Sequence, residues 1–241
     1  KENRRITINL APADIKKAGS RFDLPIAIAY LLASEQIKPF ETKDKIFVGE
    51  LSLDGSVRPV SGVLNIALLA KKKKIKYVFV PEANAIEAAT IESIQVVPIY
   101  NLTQLIEHFE NIKTIAPQPK TVVKPGYSSA LVELSEIKGQ AAAKRALLVS
   151  AAGGHNILLS GPPGTGKTML AQTLISILPP PSVEECIEIT QIYSAAGLNQ
   201  NIPFLNFRPF RTPHHTSSTI AIIGGGPNPK PGEISLAHRG V

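Results

Sequence analysis

Apolar and polar positions along the chain fall into blocks whose period switches between two and about 3.6, and the switches mark elements. Ile6, Ile8 and Leu10 alternate with Thr7 and Asn9, which predicts a half-buried strand over residues 6–10. Residues 24–34 are rich in Leu, Ile and Ala and long enough for a buried helix, with Asp23 as its N-cap and Pro25 in its first turn. Residues 46–53 read as a strand, Asp54-Gly55 as a hairpin turn, and residues 57–60 as the partner strand. Val63, Ile66, Ala67 and Ala70 recur at helical spacing and predict a helix over residues 62–73. Short apolar runs at 77–80 and 95–99 predict strands, alternating with helices at 83–91 and 102–109. Helices that alternate with strands in this way make an α/β pattern.

Residues 113–129 break the pattern. They hold Pro117, Pro119, Pro125 and Gly126, three lysines and no acid, which is a linker composition. The expected organisation is therefore a first domain over residues 1–112, a linker over 113–129 and a second domain over 130–241. In the second domain an Ala/Leu-rich helix over 140–152 is closed by Gly153-Gly154. Residues 156–160 contain Ile157-Leu158-Leu159 and read as a buried strand. A helix over 167–178 is stopped by three prolines, and one over 182–195 opens with Ser182 and Glu185 at capping-box spacing. Residues 219–223 read as a further strand, ahead of Gly224-Gly225-Gly226.

Composition narrows the class. The chain has 241 residues, 44% hydrophobic and 19% charged, as in an ordinary globular protein large enough to bury a core. A single cysteine, Cys186, excludes an internal disulfide framework and a cysteine-based zinc site. This suits a reducing, cytoplasmic setting. No apolar run is long enough to span a bilayer, and the first residues form no leader peptide. Met169 is the only methionine, so the chain reads as a fragment of something longer. The formal charge of +7 is uneven: 15 basic residues face 13 acidic ones before residue 113, and 11 face 6 after it. The basic excess suits a nucleic acid or nucleotide partner, or simply ordinary surface lysines. The run Lys71–Lys74 with Lys76 reads first as a solvated helix end that complements the helix dipole.

The sharpest signal is Gly161-Pro162-Pro163-Gly164-Thr165-Gly166-Lys167-Thr168, which fits GxxxxGK[ST] between an apolar segment and a helix. Glycines let such a loop turn tightly and aim its N–H groups at phosphate oxygens, while the following helix offers its positive end to the same anion. On this reading Gly161 to Met169 hold ATP, Lys167 reaches the β- and γ-phosphates, and Thr168 holds Mg²⁺. Lys167 and Thr168 are the candidate catalytic residues. Hydrolysis also needs an acidic pair on a strand end, the Walker B element. After Thr168 the only acids are Glu184, Glu185, Glu188 and Glu233, and no aspartate follows Asp54. The chain alone is therefore expected to bind ATP without turning it over.

The form GPPGTGKT resembles the AAA+ ATPases, and Ile137-Lys138-Gly139-Gln140 with Lys144 resembles their entry segment beside the adenine. The stretch from Arg208 to Ser217, with Gly224-Gly225-Gly226 and Pro231 to His238, is similar to the magnesium-chelatase-like branch, and within it to the bacterial ComM/YifB family. Arg5 to Ala13, Arg21 to Ala27 and Gly49 to Gly55 resemble that family's first domain, itself similar to the Lon proteolytic domain. The resemblance implies a Lon-like α+β domain of the ribosomal S5 domain 2 type, followed by an incomplete P-loop AAA+ α/β core. It also implies a homo-hexameric ring and an ATP-driven motor that migrates branches on single-stranded or branched DNA during recombination of transforming DNA. A chelatase-type motor acting on a protein or metal-tetrapyrrole partner, and a Lon-like peptidase, are the alternatives.

Against the peptidase, Asp23 or a neighbour falls where a Lon-type serine belongs, and Leu64 falls where its lysine belongs; Ser20 lies ahead of the helix. His214-His215 are adjacent on a segment read as extended, so they point apart and chelate poorly. Arg208 and Arg211 lie in an acid-free stretch and fit DNA contacts or contacts between subunits equally well.

Overall fold

A computed structural model describes residues 6–10, 20–128, 132–199, 202, 204–226 and 229–241. The chain divides into two compact units, Lys1–Thr121 and Val122–Val241. Among the described residues no helix is long and apolar enough to cross a membrane.

The first unit is a mixed α/β structure around a three-stranded parallel sheet. Its strands are β1 (Lys45–Phe47), β4 (Tyr77–Pro81) and β5 (Gln95–Ile99), with β4 in the middle. Phe47 is level with Phe79, and Phe79 with Val97. A parallel sheet covered on both faces needs continuous apolar strands, and Val78, Phe79 and Val80 are all buried. Phe79, Val97 and Ile99 pack with Leu24 and Ile28 of α1 (Asp23–Ala33) and Leu105 of α4 (Leu102–Phe109). Phe40 stacks on Phe109 at 3.8 Å between ring centroids, and Phe47 on Phe79 at 4.8 Å. Helices α2 (Val63–Lys72) and α3 (Glu82–Ala88) pack against the sheet through Ala67, Ala70, Ala85 and Ala88, where small side chains let backbones approach. A hairpin of β2 (Glu50–Leu51) and β3 (Val57–Arg58) turns at Asp54-Gly55, with the Asp54 carboxylate accepting from Ser56 N–H at 3.0 Å.

Three expectations for this unit are corrected. Among the described residues, 6–10 pair with no strand, and Ile6, Ile8 and Leu10 are exposed. The apolar run 46–53 is two strands rather than one, since the chain leaves the sheet at Val48-Gly49 to enter the hairpin. Asp23 is not the cap of α1: Phe22 holds that position without a side-chain cap, and the Asp23 carboxylate instead accepts from Leu51 N–H at 3.5 Å.

The second unit is built mainly from helices. Helix α5 (Ala141–Gly153) packs on α6 (Lys167–Ile177) around Leu147, Ala151, Leu170 and Leu174. Gly154 closes α5 in the left-handed conformation at φ +62°. Helix α7 (Val183–Ala196) opens with a complete capping box: Ser182 accepts from Glu185 N–H, and Glu185 accepts from Ser182 N–H. Helix α8 (Thr219–Ile223), a two-strand pairing of β6 (Gly224–Gly225) with β7 (Lys230–Pro231), and α9 (Glu233–Leu236) complete it. A Cβ on Gly224 would lie 2.7 Å from Lys230 O, so the β6–β7 approach requires glycine there. Residues 156–160 are not a strand among the described residues, and Leu158 is 90% exposed. A strand exists only where a neighbour pairs its backbone groups, and none does here. Residues 219–223 are a short helix instead of a strand, because Ser218 caps them by accepting from Ala221 N–H.

Candidate nucleotide-binding site

The glycine-rich loop joins residues 156–160 to α6 across the surface of the second unit. Gly161, Gly164 and Gly166 have φ of +151°, +79° and +82°. At these angles an L side chain is strained, and at Gly164 and Gly166 a Cβ would meet nothing within 4 Å. The glycines therefore serve the backbone path, not side-chain crowding, and they leave the outer face of the loop open. Gly166 is the N-cap of α6, so the first-turn N–H groups of a helix of 11 residues, which have no intrahelical acceptors, start at the loop.

Lys167 folds back over this loop. Its Nζ donates to Gly161 O at 2.9 Å and Pro162 O at 2.6 Å, and lies 3.4 Å from Thr165 Oγ1. Thr165 Oγ1 itself donates to Pro162 O at 3.0 Å. The ammonium thus sits above the cradle, held by neutral carbonyls that an anion can replace. Thr168 is exposed one residue on, and Met169 is half exposed beside it, while Leu170 and Leu174 anchor the helix beneath. An exposed cradle of backbone N–H groups, one ammonium and one hydroxyl is a donor set for a polyphosphate with its cation, so these residues fit ATP and Mg²⁺.

Arg208 and Arg211 are not free cations. Arg208 donates to Pro179 O and Arg239 O, both at 2.7 Å, and to Glu185 Oε2 at 2.9 Å; its side chain is 13% exposed. Arg211 grips Glu233 through two parallel bonds of 2.6 and 2.8 Å. Arg239 and His238 converge on Glu188 at 2.8 and 3.0 Å. The Arg239 guanidinium, helped by His238, holds the Glu188 carboxyl at about 2. Arg211 likewise holds Glu233 below the usual carboxylate range. The remaining acid, Glu184, accepts from Ser182 Oγ at 2.9 Å. All four acids after the loop are therefore committed within the second unit. Nothing in the sequence signals these pairs, whose members lie 22 to 51 residues apart. The rings of His214 and His215 do not point apart as expected of an extended segment: their centroids are 4.2 Å apart with planes tilted by 36°, and His214 Nδ1 bonds Thr216 Oγ1 at 2.7 Å. Among the described residues no cluster of three or more His, Cys, Asp or Glu could hold a metal.

The positions relevant to peptidase chemistry lie in the first unit. Ser20 Oγ donates to the Glu50 carboxylate. Leu64 is fully buried, and its N–H donates to Glu87 Oε1 at 3.3 Å. Glu87 thus caps α2 from a neighbouring helix, and the position read as the lysine of a dyad holds the apolar Leu64 side chain. Cys186 is buried in α7, and that burial pushes its thiol pKa up.

Comparison with known proteins places these features. Residues 133–241 match the family model described as magnesium chelatase, subunit ChlI, and residues 1–84 match a second model described as subunit ChlI of Mg-chelatase. The competence protein ComM of Haemophilus influenzae is 43% identical over 99% of this chain and 47% of its own length. The YifB protein of Escherichia coli is 43% identical over 99% of this chain and 46% of its own. An archaeal Lon protease of Methanocaldococcus jannaschii is 29% identical over 43% of this chain and 16% of its own length. The chain spans about half the length of the curated relatives it matches. With both parts matched and 43% identity along nearly all of its residues, the chain belongs to the magnesium-chelatase-like ComM/YifB family.

Proposed function

We propose that this chain is the nucleotide-binding part of an AAA+ ATPase that works as a motor on DNA. The observation that carries the reading is the loop from Gly161 to Thr168, with three glycines at positive φ, the start of α6 behind them and Lys167 poised above. Backbone N–H groups of the loop and of α6 bind the phosphates, Lys167 exchanges Gly161 O and Pro162 O for phosphate oxygens, and Thr168 holds Mg²⁺ through its hydroxyl. The cation supplies neutralisation of the phosphate charge. The domain reading is a non-proteolytic Lon-like first domain over residues 1–112, a linker over 113–129, and the first part of an AAA+ core over 130–241. The assembled protein is a homo-hexameric ring in the cytoplasm.

The four committed acids support a further point: none is available to orient an attacking water. This chain binds ATP and hydrolyses it negligibly by itself. The DNA assignment draws support from the name of the competence relative and from the basic excess. Branch migration during recombination of transforming DNA is the activity proposed for the whole protein. The peptidase alternative lacks support, since Leu64 is buried and Ser20 is tied to a carboxylate.

The test is ATP affinity by calorimetry with Lys167→Ala. Hydrogen bonds to charged groups contribute about 1.5–3 kcal/mol each, so a loss of about 10- to 100-fold or more is expected. Unchanged affinity sinks the site assignment.

A further inference from the structure

The net charge of the second half draws attention to its arginines, but the structure redirects it. Arg208, Arg211 and Arg239 are each neutralised by a glutamate of their own unit. Lysines without a carboxylate partner among the described residues occur in both units, Lys167 and Lys230 among them, but the only consecutive run of them is in the first unit, where α2, β1 and β4 end or begin together. Lys71–Lys74 close α2, and all four are exposed. Lys76 and Lys45 lie over the ring of Tyr77 at 5.1 and 5.6 Å, and Lys45 is level with Tyr77 in the parallel register. Among the described residues no carboxylate pairs with Lys72, Lys73, Lys74 or Lys76. Acids border the cluster without pairing with that run: Glu92 pairs with Lys120 and feels the charge of Lys71, Asp44 precedes Lys45, which opens β1, and Lys45 Nζ donates to Glu41 O at 2.7 Å.

Helix stability does not account for this cluster. A cation in the last turn gains about 0.3–1 kcal/mol from the dipole, but like charges three and four positions apart repel by similar amounts. Lys71 and Lys72 sit about 100° apart in the last turn, and Lys73 and Lys74 follow as the chain leaves the helix, so the run does not favour one helix face. Lys74 also adopts φ +57°, a left-handed position where glycine is the least strained residue and any other costs roughly 1 kcal/mol. The helix end thus carries more charge, and a costlier residue, than its own stability calls for. Six ammonium groups of Lys45, Lys71–Lys74 and Lys76, gathered on one end of the unit beside an aromatic ring, match the closely spaced charges of a phosphate backbone.

We propose that this lysine end of the first unit, centred on Lys71–Lys74, is a docking surface for the phosphate backbone of single-stranded nucleic acid. The assignment rests on the DNA reading above and gives it a location away from the nucleotide loop. Contacts of this kind position a strand without reading its sequence.

The experiment is fluorescence anisotropy of a labelled single-stranded oligonucleotide with the whole chain, titrated from about 50 to 200 mM salt. Two variants are compared with the wild type. One carries Lys71→Ala, Lys72→Ala, Lys73→Ala and Lys74→Ala. The other removes four exposed lysines elsewhere, as Lys38→Ala, Lys113→Ala, Lys124→Ala and Lys230→Ala. All these side chains are exposed, so an unchanged thermal midpoint checks the fold. A charge-reversed pair, Lys72→Glu with Lys73→Glu, serves if the quadruple variant loses stability. The expected result is that the first variant weakens binding at least tenfold at the low salt and flattens the salt slope by about 2 to 3, while the second leaves the slope nearly unchanged. Equal losses in the two variants would show an effect of net charge and overturn the location. Wild-type binding that the Lys71–Lys74 variant keeps overturns the surface and spares the DNA reading. No wild-type binding at low salt sinks both. Displacement by polyglutamate at equal charge concentration overturns the choice of nucleic acid over an acidic protein.

Discussion

Two apolar segments of similar length, Tyr77–Pro81 and residues 156–160, meet opposite fates. The first lies between β1 and β5 with Val78, Phe79 and Val80 buried. The second pairs with no strand among the described residues and exposes 90% of Leu158, although Ile157 and Leu159 pack on the α5–α6 core. Hydrophobicity does not separate them. What does is a neighbour able to take the backbone hydrogen bonds, which a local pattern cannot announce. The contrast extends to chemistry. The buried residues Val78, Phe79 and Val80 carry no candidate chemistry, whereas the open segment leads directly into the candidate phosphate loop.

Substitutions can sharpen that contrast. Phe79→Ala removes a ring packed on Phe47 and Phe109 and should cost about 3–5 kcal/mol. Hydrogen exchange at the amides of β4 and β5 should then accelerate by two orders of magnitude or more, by about 1.4 kcal/mol per decade. In the second unit the largest effect should come from Arg208→Ala, which leaves Pro179 O, Arg239 O and Glu185 without their donor. A loss of about 1–3 kcal/mol is expected in denaturant unfolding of α7, and no change would show that the pairs are incidental.

Acid should loosen the same region. The Glu188 pKa falls from its ordinary 4.5 to about 2 in the folded chain. Its tie to Arg239 is therefore at full strength above 4.5 and is lost as pH falls through about 2. Protease cleavage near Arg239, followed against pH, should rise across that interval and less so in Glu188→Gln, where the carboxylate is already gone. The smallest effect is expected at Leu158→Ser, within about 0.5 kcal/mol. A loss well above that would mean residues 156–160 are paired after all.

Elements with local signals were legible in the sequence. The strand over 95–99 and the helix over 102–109 match the structure residue for residue, the latter because Asn101 caps it by accepting from Gln104 N–H at 2.7 Å. The Ser182–Glu185 capping box was equally readable, its two halves being three residues apart. Features that depend on distant partners were not. Asp23 looked like a cap but reaches Leu51, 28 residues away. Residues 219–223 are a different case: their cap Ser218 is local, and the apolar run outweighed it in the reading of a strand. The candidate phosphate loop is contiguous, so its residue set could be read directly. The fold-back of Lys167 and the glutamates that occupy Arg208 and Arg211 arise from the folded chain alone.

Val241 has two attachments whose combination matters mechanically. Its N–H donates to Pro209 O at 2.9 Å, and its C=O accepts from Arg211 N–H at 2.7 Å. Its side chain packs on the core formed by Leu147, Leu170 and Leu174, directly beneath the loop helix α6. Close-packed interiors transmit displacement rather than absorb it. A displacement of Val241 therefore reaches both the Arg211–Glu233 pair and the α5–α6 core under the candidate loop, without travelling along the intervening chain.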